Sequence, residues 1–153
     1  MKILVFSDSH GYTNDMHHII QATSCDMVLH LGDCYDDMLE LKDCYDIPVY
    51  GVVGNVDFVQ GQGIISLNLE GYKIGLCHGH QFRVKSDLHE LRHFAQKEGF
   101  DLVLFGHTHK AYLDENEGIM NPGSIKFPRG GKNPSYGLLE LSKDEKKCRI
   151  IYR

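Results

Sequence analysis

The 153-residue chain is first informative for what it lacks. No apolar run reaches the roughly 18 residues a membrane-spanning helix needs, which excludes a span of that kind. There is no basic excess either. The 16 Lys and Arg stand against 21 Asp and Glu, giving a formal net charge of -5 and no strong nucleic-acid signal. Met1-Lys2-Ile3-Leu4-Val5-Phe6 has no signal-peptide layout and reads directly as a strand. Cys25, Cys34, Cys44, Cys77 and Cys148 are scattered, odd in number and form no Cys-x-x-Cys pair. This disfavours a disulfide framework or zinc ribbon and points to free thiols in a reducing cytoplasm. No linker, repeat or low-complexity stretch breaks the chain, so one domain over residues 1–153 is expected. Nothing in the pattern sets an oligomeric state.

What is present is the composition of an ordinary globular protein, with 42% hydrophobic and 24% charged residues. Residues 2–7 read as a strand. Met16, Ile19, Ile20 and Thr23 give 13–24 helical spacing, capped by Thr13 or Asn14. A strand at 27–31, a short helix at 36–43 and a strand from Pro48 to Val53 complete a β-α-β-α-β pattern, the signature of a parallel sheet. Glu70-Gly71-Tyr72 reads as a hairpin turn between 64–69 and 73–77. Ser86 is expected to cap a helix over 87–98 that ends before Gly99, followed by a strand at 101–105. Short strands near 111–115, 118–120, 136–141 and 147–152 add antiparallel character. The expected architecture is α/β, with two sheets packed face to face and helices outside.

Five short motifs follow the apolar runs in a fixed order: Asp8-Ser9-His10, Gly32-Asp33-Cys34-Tyr35-Asp36, Gly54-Asn55-Val56-Asp57, His78-Gly79-His80 and Gly106-His107-Thr108-His109. Ligands in α/β sheets gather at the carboxyl ends of strands. Asp8 and His10 are two apart, as are His107 and His109, so in extended segments each pair would face one way. Gly32, Gly54 and Gly106 precede ligands, as expected where the backbone turns tightly or is closely approached. Mixed carboxylate, amide and imidazole donors suit Mn, Fe, Zn, Co or Ni better than Ca or Mg. Asp8, His10, Asp33, Asn55, His78, His107 and His109 are too many for one tetrahedral zinc, and two metals about 3.5–4 Å apart would use them all.

This ordered set resembles the calcineurin-like metallophosphoesterase superfamily. With the small size and the segment Asn121-Pro122-Gly123-Ser124, it is most similar to the small prokaryotic phosphodiesterase branch. The resemblance implies an αββα sandwich of two mixed sheets and a dinuclear centre, with Mn the leading metal. It places Asp8, His10, Asp33 and His109 around one metal and Asp33, Asn55, His78 and His107 around the other, with Asp33 the bridge. It implies a small phosphate-ester substrate, most readily a diester, hydrolysed by in-line attack of a metal-bridging hydroxide, with Asp33, Asn55 and His78 as catalytic residues. The third motif departs from the superfamily's usual Gly-Asn-His-Asp. Val56 stands where the His that assists the leaving group is expected, so Asp57 loses the ring it would orient. General acid help contributes about 10²–10⁴-fold, so good leaving groups such as aryl esters are favoured. His80 is an expected substitute acid or substrate contact.

Other readings compete. A member of this fold can be a non-catalytic protein-binding scaffold, as the retromer subunit is. His89-Glu90-Leu91-Arg92-His93 fits the His-Glu-x-x-His of zincin proteases, with both imidazoles on one helical face. Arg92 would repel zinc there, and Leu88, Leu91 and Phe94 or Ala95 make a better core stripe. His17 and His18 read as structural, and His30 as a core histidine or a partner of the site. Arg83 with Lys85, and the segment Arg129-Gly130-Gly131-Lys132, are candidate phosphate contacts.

Overall fold

The computed structural model describes residues 1–131 and 133–153. Lys132, a candidate phosphate contact from the sequence, lies outside the described residues.

The elements are β1 (Lys2–Phe6), α1 (Asn14–Ala22), β2 (Met27–His30), α2 (Tyr35–Cys44), β3 (Val49–Gly51), β4 (Ile64–Leu69), β5 (Tyr72–Cys77), a 3-10 turn (His80–Phe82), α3 (His89–Glu98), β6 (Leu102–Leu104), β7 (Tyr112–Asp114), β8 (Ile119–Asn121), β9 (Ser135–Leu141) and β10 (Lys146–Tyr152). They form two five-stranded sheets, ordered β10-β9-β1-β2-β3 and β4-β5-β6-β8-β7. Both are mixed. In the first, β1, β2 and β3 are parallel, while β9 pairs antiparallel with β1 and β10 antiparallel with β9. In the second, β5, β6 and β8 are parallel, with β4 and β7 antiparallel at the edges.

Strand alternation explains the layering. Ile3 and Val5 of β1, with Met27 and Leu29 of β2, point into the core between the sheets. There they meet Ile74 and Leu76 of β5 and Leu102 and Leu104 of β6. The intervening Leu4, Phe6 and Val28 point outward onto Met16, Ile19 and Ile20 of α1 and Met38 and Leu41 of α2. On the other sheet, Cys77 and Val103 point outward onto Leu91 and Ala95 of α3. A strand buried on both faces reads as a continuous apolar run, and such strands are parallel and central here. The result is the expected αββα sandwich.

Local chemistry sets the boundaries. Glu70 (φ 52) and Gly71 (φ 93) are the two left-handed residues of the β4-β5 hairpin, so Tyr72 belongs to the strand rather than the turn. Gly99, at φ 66, ends α3. The helix starts at His89, two residues later than Ser86 capping predicts, and the Asp87 carboxylate accepts the His89 N–H at 2.8 Å. Thr13 occupies the N-cap of α1 without a side-chain cap bond, because its backbone is already helical.

Candidate metal centre

The ligand-bearing turns leave the carboxyl ends of β1, β2, β5 and β6, on one edge of the sandwich. The extended geometry expected for Asp8 to His10 and His107 to His109 is not what brings these side chains together. Asp8 (φ 53), His10 (φ 49), Asp33 (φ 57), His107 (φ 67) and His109 (φ 58) all adopt left-handed backbone. That conformation costs a non-glycine residue about 1–3 kcal/mol and survives where its surroundings over-determine it. Here the turns are tied across strands: Asp8 N–H donates to Gly32 O at 3.1 Å, His10 N–H to Asp33 O at 3.4 Å and Gly106 N–H to His78 O at 3.0 Å.

Asp8, His10, Asp33 and His109 form one cluster, and Asp33, His78 and His107 another. Asp33 belongs to both. Its Oδ1 lies 3.2 Å from His78 Nε2 and its Oδ2 lies 3.9 Å from His10 Nε2. In the first cluster, His109 Nε2 is 3.2 Å from Asp8 Oδ1 and 3.4 Å from His10 Nε2. In the second, His78 Nε2 is 3.1 Å from His107 Nδ1 and 3.2 Å from Asn55 Oδ1. All seven sequence candidates therefore converge.

Hydrogen bonding fixes which atoms face inward. Leu31 O sits 2.7 Å from His78 Nδ1, and Phe127 O sits 2.7 Å from His109 Nδ1. A carbonyl only accepts, so both Nδ1 atoms carry protons, and in the neutral rings both Nε2 atoms present lone pairs to the site. Those lone pairs face carboxylate oxygens. Asp8 Oδ2 accepts from Ser7 Oγ at 2.6 Å and His107 N–H at 3.1 Å, whereas Asp8 Oδ1 is buried and accepts no hydrogen bond. Converging lone pairs around a buried, unsatisfied carboxylate oxygen require a cation. The donors fit a metal. Two ligands each about 2.1 Å from an ion at a right angle would be about 3.0 Å apart, close to the spacings seen.

A proton can stand in for that cation, and the titrations reflect it. The hydrogen bond that a protonated His109 Nε2 can donate to Asp8 Oδ1 raises His109 against the opposing effect of burial, helped by the Asp8 charge and the Phe127 carbonyl. Burial lowers His78, but the Asp33 hydrogen bond, the Asp8 and Asp33 charges and the Leu31 carbonyl outweigh it and raise the ring. Burial pushes Asp33 up, yet the His78 hydrogen bond and charge, the Val56 amide and the His10 charge hold it at about 2. Burial and the neighbouring His78 and Lys85 charges pull His107 down to about 4.

Close approach explains two of the glycines. A Cβ on Gly54 would meet Asp33 Oδ1 at 2.1 Å, and one on Gly106 would meet Ser7 Oγ at 2.0 Å. Asp57, left without a role by the Val56 departure, turns out to clamp the backbone. Its Oδ1 accepts N–H groups of Cys34 at 2.8 Å and Tyr35 at 2.9 Å, and its Oδ2 those of Gly54 at 2.7 Å and Asp33 at 3.1 Å. One carboxylate thus caps the first turn of α2 and holds the Asp33 and Asn55 loops together. Its position three residues after Gly54 was the available signal. Ser124 was also missed: its hydroxyl donates to Asp8 O at 2.8 Å.

The remaining candidates separate. His80 stands beside the second cluster, its ring 5.5 Å from that of His78 and 6.1 Å from that of His107. Burial and the His78 charge lower it, which works against the protonated ring that leaving-group assistance needs. Arg83 is exposed and lies 4.0 Å from Glu90. Arg129 donates its backbone N–H to His109 O at 2.9 Å. His89 and His93 are exposed on α3, joined to no third ligand among the described residues, and Arg92 is paired with Glu117 at 2.6 Å. Buried His30 accepts Gly32 N–H on Nδ1 at 3.3 Å and so donates from Nε2 to Ser9 Oγ at 2.9 Å, buttressing the Asp8 turn.

The calcineurin-like phosphoesterase superfamily domain matches residues 1–144. The chain belongs to that superfamily. The probable metallophosphoesterase YsnB of Bacillus subtilis is 32% identical over 155 residues, covering 98% of this chain and 90% of that protein. Phosphodiesterase YfcE of Escherichia coli is 35% identical over 74 residues, 47% of this chain and 36% of that protein. Among solved structures, wild-type Vps29 of Entamoeba histolytica complexed with zinc superposes with a TM-score of 0.78 at 25% identity, covering 99% of both chains. As a superfamily member with this His/Asp cluster, the chain is a metallophosphoesterase by family. Among the described residues, no helix is long and apolar enough to cross a membrane.

Proposed function

We propose that the protein is a phosphodiesterase working with two divalent transition metals, Mn foremost and Ni, Zn, Fe or Co as alternatives. The observation that carries this reading is Asp33, whose two carboxylate oxygens face two separate ligand sets. Asp8, His10 and His109 would complete one metal site, and Asn55, His78 and His107 the other. When bound, such a pair supplies an acidified water as nucleophile and neutralises the phosphoryl oxygens. The chain's own residues do the positioning. The Leu31 and Phe127 carbonyls lock His78 and His109 in the tautomer that points Nε2 inward. Asp57 holds the Asp33 and Asn55 loops in register.

Val56, 45% exposed, cannot deliver a proton to a departing oxygen. It lines a cleft of about 440 Å³ with His10, Tyr35, Asp36, Asp57 and Phe58. The apolar Val56 and Phe58 side chains of that cleft suit the uncharged ring of an aryl ester, whose oxygen leaves without protonation. The five cysteines are free, which suits a reducing, cytoplasmic setting.

The test is hydrolysis of bis(4-nitrophenyl) phosphate and 4-nitrophenyl phosphate by metal-stripped protein with Mn returned. Mn-dependent turnover, faster on the diester and lost in Asp33→Asn, is expected. A scaffold role is the second reading, favoured by Phe58, which is 99% exposed beside the site. No turnover with any divalent metal by folded protein would select it.

A further inference from the structure

On the far side of the ligand turns lies a second cleft, of about 420 Å³. Its floor is apolar, made by Phe105, Leu88 and Tyr112, and Lys85, Lys110 and Arg129 line it. Among the described residues, no carboxylate does. This is unusual in a chain of net charge -5. Arg83, Arg92, Arg149 and Arg153 each have a carboxylate partner, Glu90, Glu117, Glu140 and Asp15. Among the described residues, Arg129 is the one arginine with no ion pair, and Lys85 and Lys110 have none either. Like charges gathered without counter-charge destabilise a surface unless an anion joins them.

The cleft adjoins the metal centre. Thr108, between ligands His107 and His109, is part of its wall, and Arg129 is bonded through its backbone to His109. The cleft beside His10 and Val56 has the opposite character: Asp36 and Asp57 line it along with exposed Val56 and Phe58. An anionic arm would be repelled there and attracted here.

We propose that the Lys85-Lys110-Arg129 cleft binds a phosphate group on the non-leaving arm of the substrate. This rests on the phosphodiesterase reading and narrows it. The substrate class is a phosphodiester with one apolar leaving group and one arm that carries a further phosphate. A forked guanidinium and two ammonium-bearing side chains lining one cleft match a phosphate dianion better than a carboxylate.

The cleft can be tested without turnover. Inorganic pyrophosphate is titrated calorimetrically into metal-stripped protein, which removes bound metal as a competing anion site. Binding at one equivalent, weakened at least about tenfold in the triple variant Lys85→Ala/Lys110→Ala/Arg129→Ala and retained in Lys147→Ala, is expected. No binding by the parent, or equal binding by the triple variant, would overturn the proposal. Arg129→Glu, a single surface change, should weaken binding in the same direction, and unaltered affinity would count equally against it. With Mn present, kcat/KM is then compared for bis(4-nitrophenyl) phosphate and for a 4-nitrophenyl diester whose other arm ends in a phosphate. The triple variant should lower the ratio in favour of the phosphorylated substrate at least about tenfold. An unchanged ratio sinks the substrate assignment. Absence of turnover on both substrates by the parent would instead sink the phosphodiesterase reading, with the pyrophosphate titration still deciding the cleft.

Discussion

The two ligand sets meet at Asp33 but are built differently. The Asp8 side offers two carboxylates and two imidazoles, counting Asp33, and Asp8 is wholly buried. The His78 side offers one carboxylate, two imidazoles and the amide of exposed Asn55. The contrast extends to protons: the Asp8 hydrogen bond raises His109, while burial and its neighbours depress His107 to about 4. Charge attracts a cation more than an amide dipole does, and burial strengthens the attraction. Under the two-metal proposal, the Asp8 side should therefore hold its metal tightly, and the His78 side should hold the exchangeable one. The two ligand sets are not equivalent, and the difference between them is set by one residue on each side, Asp8 and Asn55.

Removing the shared residue should have the largest effect. Asp33→Asn removes the shared negative charge and leaves one set an amide oxygen and the other an NH2 that cannot ligate, and diester turnover should fall at least about 100-fold in an assay saturated with Mn. Turnover within threefold of the parent would contradict the bridging role. Next comes the clamp beneath the second set. Asp57→Ala leaves four backbone N–H groups without their acceptor, and denaturant unfolding should show a loss of about 2–4 kcal/mol. A loss below about 0.5 kcal/mol would mean water replaces the carboxylate without cost.

The asymmetry itself is sharpened by Asp8→Asn against Asn55→Ala. The first should weaken the tighter Mn step about 10–100-fold, and the second should weaken only the looser step, by about tenfold, in equilibrium dialysis. Equal effects on both steps would erase the distinction.

The smallest effect is that of pH. A raised His109 contributes stability that is complete below its unfolded value of about 6.5 and is lost as pH rises through the folded value. In metal-stripped protein, the stability advantage of the parent over Asp8→Asn should therefore shrink as pH rises from about 6 to 9. Protons also compete with metal at His109 and His78, so apparent Mn affinity should climb over the same range, by up to about tenfold per unit for each proton displaced. A flat profile would show that neither ring is protonated in the metal-free site.

The sandwich was legible in the sequence because alternation in β1, β2 and β6 places successive apolar residues on opposite faces of strands covered on both sides. The ligands were legible because each follows such a run. Their backbone was not, since spacing alone cannot distinguish an extended Asp8-x-His10 from one with left-handed residues at both ends. Asp57 was hidden because its acceptors serve N–H groups, which every residue but proline carries and no motif spells out. The cationic cleft was partly visible. Lys85 and Arg129 stood out as candidates, but Lys110 joins them only through the fold, and the lack of counter-charge is a property of surfaces.

The most direct test is calorimetric titration of metal-stripped protein with Mn, run on the parent and on Asp33→Asn. The shared-carboxylate account predicts two equivalents bound in two steps of unequal affinity by the parent, with both steps weakened in the variant. A single equivalent in the parent, or two unaltered steps in Asp33→Asn, would contradict it.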